Sequence, residues 1–263
     1  MTPEQLLHHY DRASLWPAAT ALDLPTAYQN ALDVRRLRMA RGEQPRGYKI
    51  GFTNRSIWPR YNVDAPIWGT VWDTTLTFCE GEGEGDLSLA GISQPRLEPE
   101  AVFGMAFTPP ADASLDDLLA CIAWVAPGFE IVQSHQPDWK FCAADTVADG
   151  ALHARLLVGQ RVPIAEVAQG AQAFEQRLAE ARVTLCRGTD AVEQGVGANV
   201  MDGPLHALRH FLQTLRACPG AADLQPGDVV TTGTWTDAWP VAPGEQWTAV
   251  FETPLSPLTV SFS

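Results

Sequence analysis

Glu98 and Glu100 stand two residues apart in the stretch Pro95-Arg96-Leu97-Glu98-Pro99-Glu100-Ala101-Val102-Phe103-Gly104. In an extended chain, side chains at i and i+2 share a face, so the two carboxylates point at one place and repel each other. Either both reach open water or something positive sits between them, and a hard divalent cation with oxygen ligands is the economical choice. Pro99 lacks an N–H, which sets the segment at a sheet edge or an irregularity rather than in a central ladder. Two surface acids on a solvated strand edge would give the same motif, so other residues must decide. Glu130 is one of them. It lies inside the apolar run Val125-Ala126-Pro127-Gly128-Phe129-Glu130-Ile131-Val132, where an acid is either buried and paired or a ligand. Lys49 is another. Placed between Tyr48 and Ile50, it points away from the face those two share. It reaches solvent or, with a glycine on either side allowing close backbone approach, serves a site.

Other spacings carry less. His206 and His210 are four apart, as in zinc helices, but Ala-Leu-Arg separates them with no glutamate beside the first, and no metal role is expected there. Gly195-Val196-Gly197 is too short for a dinucleotide fingerprint. Cys79, Cys121, Cys142, Cys186 and Cys218 are odd in number and lack C-x-x-C spacing, as expected of reduced cysteines in a cytoplasmic protein. The net charge of −13 argues against nucleic acid or an anionic membrane as partner but leaves room for a small anionic substrate at a local positive site. The N-terminus reads as no signal peptide, and no apolar run reaches the roughly 20 residues of a membrane helix.

The elements that must position these residues are short. Thr2-Pro3-Glu4-Gln5 offers an N-cap with Pro at the first helical position, and Pro25-Thr26-Ala27 begins a second helix running to about Ala40. Short strands separated by Pro- and Gly-rich turns follow. A Ser-capped helix begins at Ser114, and a helix from Pro204 to about Cys218 carries Leu205, Leu208, Phe211, Leu212 and Leu215 on one apolar face. The 263 residues suffice for one large domain or two small ones. The expected division is an N-terminal helical and α+β subdomain over 1–70 and a β-rich metal-binding domain over 71–263, working as one unit.

Five segments, in consistent order from Gly47 to the C-terminus, resemble the 2-keto-4-pentenoate (2-hydroxypenta-2,4-dienoate) hydratase and 4-oxalocrotonate decarboxylase branch of the fumarylacetoacetate hydrolase superfamily. They are G-Y-K-I-G-F-T (Gly47 to Thr53), P-R-L-E-P-E (Pro95 to Glu100), W-V-A-P-G-F-E-I-V (Trp124 to Val132), D-T-V-A-D (Asp145 to Asp149) and P-G-D-V-V-T-T-G (Pro226 to Gly233). The resemblance implies an α+β fold: a rolled mixed β-sheet with peripheral helices and a helical N-terminal region. It implies Mg²⁺ or Mn²⁺ held by Glu98, Glu100 and Glu130, Lys49 as the catalytic proton carrier, and a substrate-side turn at Thr232, Gly233 and Thr234. Trp68, with Trp72, Trp235 and Trp239, flanks the motifs and either walls the pocket or packs in the core. The implied activity is a metal-dependent lyase adding water to a short 2-hydroxydienoate or 2-oxoalkenoate in aromatic meta-cleavage catabolism, working in the cytoplasm as a homo-oligomer.

Three departures qualify this. Ile67 replaces an aspartate usual in the hydratases, where the decarboxylases tend to be apolar. Gly150 replaces an asparagine, and His135 an arginine. The alternatives are therefore decarboxylation of 2-oxo-3-hexenedioate (4-oxalocrotonate), an acylpyruvate-type C–C hydrolase using His135 or His153 to activate water, and a catalytically silent family member.

Overall fold

The computed structural model describes residues 1–61, 63–79, 81 and 83–263. Two capped helices open the chain. The Thr2 hydroxyl accepts from Gln5 N while Gln5 Oε1 accepts from Thr2 N, a reciprocal capping box on Pro3–Arg12. Asp23 caps Leu24–Ala40 by accepting from Thr26 N at 2.9 Å. These helices close over Ala143–Ala148 through a small apolar cluster that includes Leu6, Ala27, Val147 and Ile67.

The strands form two sheets. The larger runs in the order Ile67–Trp72, Pro45–Gly51, Val229–Thr234, Arg96–Met105, Ile122–Val132, His153–Val158, Leu76–Phe78. It is mixed, because Pro45–Gly51 runs parallel to Val229–Thr234 while Arg96–Met105 is antiparallel to both its neighbours. The smaller sheet has the order Asp190–Val196, Arg182–Arg187, Gln246–Phe251, Leu258–Phe262, Glu84–Leu87. The principal core fills the space under the larger sheet with Tyr48, Phe103, Phe174, Phe211 and Trp247, and the Pro204–Ala217 helix lays its apolar face into it. The α+β architecture with a rolled mixed sheet and a helical N-terminal region is thus the one expected. Residue 70 falls inside the Ile67–Trp72 strand, and the strands before and after it share one sheet. Among the described residues no helix is long and apolar enough to cross a membrane.

The Arg96–Met105 strand corrects the expectation drawn from Pro99: it lies in the middle of the sheet, not at an edge. The irregularity that admits proline is in its neighbour. Thr231 pairs with Val102 and Thr234 with Glu100, so the Val229–Thr234 strand carries one residue more than its partner, a bulge at Thr232-Gly233. In an antiparallel strand a residue's N and C=O point to the same neighbour. Pro99 O accepts from Trp235 N at 3.0 Å, so the missing N–H faces the bulged side, where the regular ladder is already broken.

Candidate active site and metal centre

The register sets Glu98 directly opposite Glu130 on adjacent strands, and Glu100 follows on the same face of its own strand. Like charges placed opposite each other destabilise a sheet, so the local sequence accepts a cost that only a partner can offset. One oxygen from each of the three carboxylates lies within 4.8 Å of the others. Glu100 and Glu130 are fully buried, and Glu98 is partly so.

Lys49 reaches this cluster from a strand two positions removed in the sheet from that of Arg96–Met105. Three inter-strand steps separate its strand from that of Glu130, about 14 Å on a flat sheet. Its Nζ nonetheless lies 3.2 Å from Glu130 Oε2, because the sheet is rolled and both side chains extend into its concave side. That contact is an ion pair outside hydrogen-bond geometry, leaving Oε2 without a donor. His153 Nδ1 stands 2.8 Å from Glu130 Oε1, and its Nε2 is 2.8 Å from Thr75 Oγ1. Burial holds the imidazole pKa below its usual value, against the opposing pull of Glu130. The neutral ring therefore donates from Nδ1 to the carboxylate and accepts from Thr75. Gly233 N donates to Glu100 Oε2 at 2.7 Å, and Glu100 Oε1 has no partner.

Charge at this site does not balance. Burial disfavours the Lys49 ammonium, but Glu130, Glu98 and Glu100 together outweigh it and raise its pKa, so the supporting neighbours, not burial, set its state. Glu130 is held below the usual carboxylate range: burial opposes ionisation, but Lys49 and His153 prevail. Burial pushes Glu98 up to about 7, with Lys49 pulling down and Glu130 pushing further. Burial also pushes Glu100 well above the ordinary value, with Glu130 and Glu98 adding to it. One ammonium faces three carboxylates, and two buried carboxylate oxygens lack donors. Hard oxygen ligands with surplus negative charge are the donor set of Mg²⁺ or Mn²⁺, so the residues present fit such an ion.

A cavity of about 130 Å³ opens beside Lys49 and Glu98, small against the roughly 300–1,000 Å³ of pockets for drug-sized ligands. Of the expected substrate-side turn, Thr234 lines it. Gly233 acts one layer below, holding Glu100 from a backbone at φ +107°. Thr232 points the other way, its hydroxyl donating to Ala101 O at 2.9 Å. Trp68 is not brought to this cavity. Alternation along the strand turns Ile67 toward it and Trp68 into the core, stacked on Tyr28 at 4.7 Å between centroids. Trp72, Trp235 and Trp239 likewise lie outside the cavity lining.

Gly233 is the backbone position with least latitude. A Cβ there would lie 1.8 Å from Thr53 Oγ1, and the positive φ alone costs a non-glycine residue about 1–3 kcal/mol. Gly233→Ala is expected to lower the melting temperature by several degrees and to weaken metal-induced stabilisation, because the N–H that orients Glu100 must move. A thermal melt with and without magnesium checks this, and an unchanged melt in both would refute it.

Two histidines were candidates for activating water. His135 Nδ1 is 2.6 Å from Asp149 Oδ1, its ring is stacked on Trp16, and it is fully buried outside the cavity lining. His153 spends both ring nitrogens on Glu130 and Thr75. Neither is placed to carry a proton for a hydrolase. The D-T-V-A-D segment serves architecture: Asp145 accepts from Thr20 N and Oγ1, at 2.8 and 2.7 Å, and Asp149 holds His135.

Sequence reading missed Arg96 and Trp139. Both line the cavity, with the Arg96 guanidinium 4.2 Å from the Trp139 ring centroid. Arg96 was within reach of the same argument that found the glutamates, since residues 96, 98 and 100 share a strand face. Trp139 carried no periodic signal. It sits in a loop where Asp138 and Trp139 both adopt positive φ, pinned by Gln94.

No protein-family model matches the chain. A 2-hydroxyhexa-2,4-dienoate hydratase of Comamonas testosteroni is 31% identical over 227 residues, covering 86% of this chain and 81% of the relative. A 4-oxalocrotonate decarboxylase of a Pseudomonas species is 30% identical over 235 residues, covering 87% and 84%. Among solved structures, 4-oxalocrotonate decarboxylase from Pseudomonas putida G7, complexed with magnesium and adipate, superposes with a TM-score of 0.87 at 24% identity, over 99% of this chain and 95% of that one. Fumarylpyruvate hydrolase from Pseudomonas aeruginosa, in complex with Mn²⁺ and pyruvate, gives 0.62 at 15% identity, over 82% and 88%.

Proposed function

The chain belongs to the hydratase and decarboxylase branch of the fumarylacetoacetate hydrolase family, and on that footing we propose that it is a divalent-metal-dependent lyase adding water to a short 2-hydroxydienoate or its 2-oxoalkenoate tautomer. The observation that carries this reading is the buried triad Glu98, Glu100 and Glu130 with Lys49 against it. The three glutamates would hold Mg²⁺ or Mn²⁺, which supplies Lewis acidity and a docking point for a 2-oxo acid when bound. Lys49, kept as the ammonium by its carboxylate neighbours, would deliver a proton to C5 of the dienol, and the proton released from the enol hydroxyl restores the ammonium, so that the conjugated 2-oxo form leaves C4 open to water. Thr234 flanks the substrate, and Gly233 fixes Glu100. The two parts of the chain act as one functional unit, Lys49 coming from the first and the carboxylates from the second. Five free cysteines support a reducing, cytoplasmic setting, and the family resemblance supports a homo-oligomer.

A second reading has its own observation. Ile67 is 2% exposed and lines the cavity beside Ala151 and Leu152, so that wall offers no acid to position water, whereas loss of CO₂ needs none. Assaying the magnesium-loaded protein on 2-hydroxypenta-2,4-dienoate and on 2-oxo-3-hexenedioate, with dienol absorbance and CO₂ followed separately, decides between them. Magnesium binding without turnover of either substrate would sink both.

The carboxylates also set a pH dependence. Burial pushes the Glu98 carboxyl up to about 7 in the folded protein, from an ordinary value of 4.5. Between those limits the folded state binds more protons than the unfolded one, so metal-free stability falls as pH rises through that window. A cation competes with the same protons, so the rise in melting temperature produced by magnesium is expected to grow from about pH 5 to about pH 8. A magnesium effect that is flat over that range would count against the three glutamates as ligands.

A further inference from the structure

Thr231 is a buried polar residue to which the chemistry above assigns no part. The register pairs it with Lys49 on one side and with Val102 on the other, and residues directly opposite each other share a sheet face. Val102 is on the same face of its strand as Glu98 and Glu100, so Thr231 points into the concave interior where the glutamates and Lys49 meet. It is fully buried, and its Oγ1 has no hydrogen-bond partner. Beyond it the same face turns apolar, with Val102, Val229, Ala126 and Leu156 packed in one cluster. Thr231 thus stands where the polar site gives way to an apolar floor, and it is not among the described residues that line the cavity.

A buried hydroxyl without a partner carries a cost that valine, of nearly the same shape, would avoid. Thr232, the next residue, shows how a threonine on this strand settles when its role is architectural: its hydroxyl donates to Ala101 O at 2.9 Å. Thr231 makes no such bond. The unpartnered groups on its face are carboxylate oxygens. Glu100 lies one pleat from Val102, its Oε2 taken by Gly233 N and its Oε1 without a partner, and Glu130 Oε2 also lacks a donor. A hydroxyl can donate to a carboxylate and accept from a water at the same time. Magnesium sheds its waters reluctantly and usually keeps several beside its protein ligands, so a hydrated cation would satisfy the carboxylates and the hydroxyl together.

We propose that Thr231 is a positioning residue of the metal centre, its hydroxyl accepting from a water that the ion retains on the floor side of the site. The inference rests on the metal reading given above and adds to it a residue outside the three glutamates. A water kept at the floor is shut off from the cavity, so it steadies the ion without standing in the way of a substrate that approaches from the open side.

Calorimetric titration of magnesium into metal-free protein, paired with thermal melts of the metal-free form, tests this. Thr231→Val is expected to weaken magnesium binding by about 10-fold, at the lower end of what losing an outer partner of a metal site costs. Its metal-free melting temperature should stay level or rise, because valine matches the apolar floor. Thr231→Ser keeps the hydroxyl and should bind magnesium within about threefold of the parent. If Thr231→Val binds magnesium as tightly as the parent, the inference alone is overturned. A metal-free melt lowered in Thr231→Val does the same, since the hydroxyl would then serve the fold rather than the ion. Equal losses of affinity in the valine and serine variants also overturn it, assigning the effect to packing. Failure of the parent itself to bind magnesium overturns the three-glutamate reading, and the inference with it.

Discussion

Lys49→Met lowers kcat by about 10²- to 10⁴-fold on any accepted substrate, while magnesium continues to raise the melting temperature: this is the expected outcome if Lys49 moves the proton and the glutamates alone hold the ion. The residue is 3% exposed and pairs with Glu130 at 3.2 Å, so removal of the side chain leaves a buried carboxylate facing two others. Breaking a buried pair from one side costs about 3–5 kcal/mol, and the metal-free variant should melt markedly earlier. Magnesium would then recover much of that loss, because a divalent cation replaces the missing positive charge. Methionine keeps the volume and the unbranched stem, which separates lost charge from lost packing. A variant with kcat within about threefold of the parent would remove Lys49 from the chemistry. One that had also lost its thermal response to magnesium would show that the lysine shapes the metal centre rather than the reaction.

How much of this site the sequence could reveal follows from which interactions are local. Glu98 and Glu100 were legible because strand alternation acts over two residues, and Glu130 because an acid among Phe129 and Ile131 contradicts its surroundings. Lys49 was legible as a side chain turned away from Tyr48 and Ile50, and the structure places those two in the core as that reading requires. What sequence could not show was the register of strands about thirty or more residues apart. Pro99 illustrates the limit: its chemistry announces an irregularity, yet the bulge that supplies one lies at Thr232-Gly233, over 130 residues later. Trp68 shows the converse. It adjoins a cavity residue in sequence and is turned to the core by the same alternation that found the glutamates. Trp139 left no trace, because a loop held by side-chain bonds to Gln94 has no period to read.

Glu130→Gln should produce the complementary loss. Glu130 is the carboxylate approached from two sides, hydrogen-bonded at Oε1 by His153 at 2.8 Å and ion-paired at Oε2 with Lys49 at 3.2 Å. Glutamine preserves its size and can still accept from His153, but its NH₂ group then faces the Lys49 ammonium, donor against donor. The variant also deletes the charge that most strongly supports the protonated lysine against burial. Magnesium affinity is expected to fall by about 100-fold or more, beyond the 10- to 100-fold typical of losing an outer partner, and activity at ordinary magnesium concentrations should fall with it. Metal-free stability should change less than in Lys49→Met, since the lost ion pair is offset by relief of repulsion with Glu98 and Glu100. Calorimetric titration of magnesium into both variants separates the roles. Unaltered affinity in Glu130→Gln would make Glu130 the counter-ion of Lys49 and leave the ion to Glu98 and Glu100, whereas a loss confined to Glu130→Gln assigns it to the metal and leaves Lys49 to the proton.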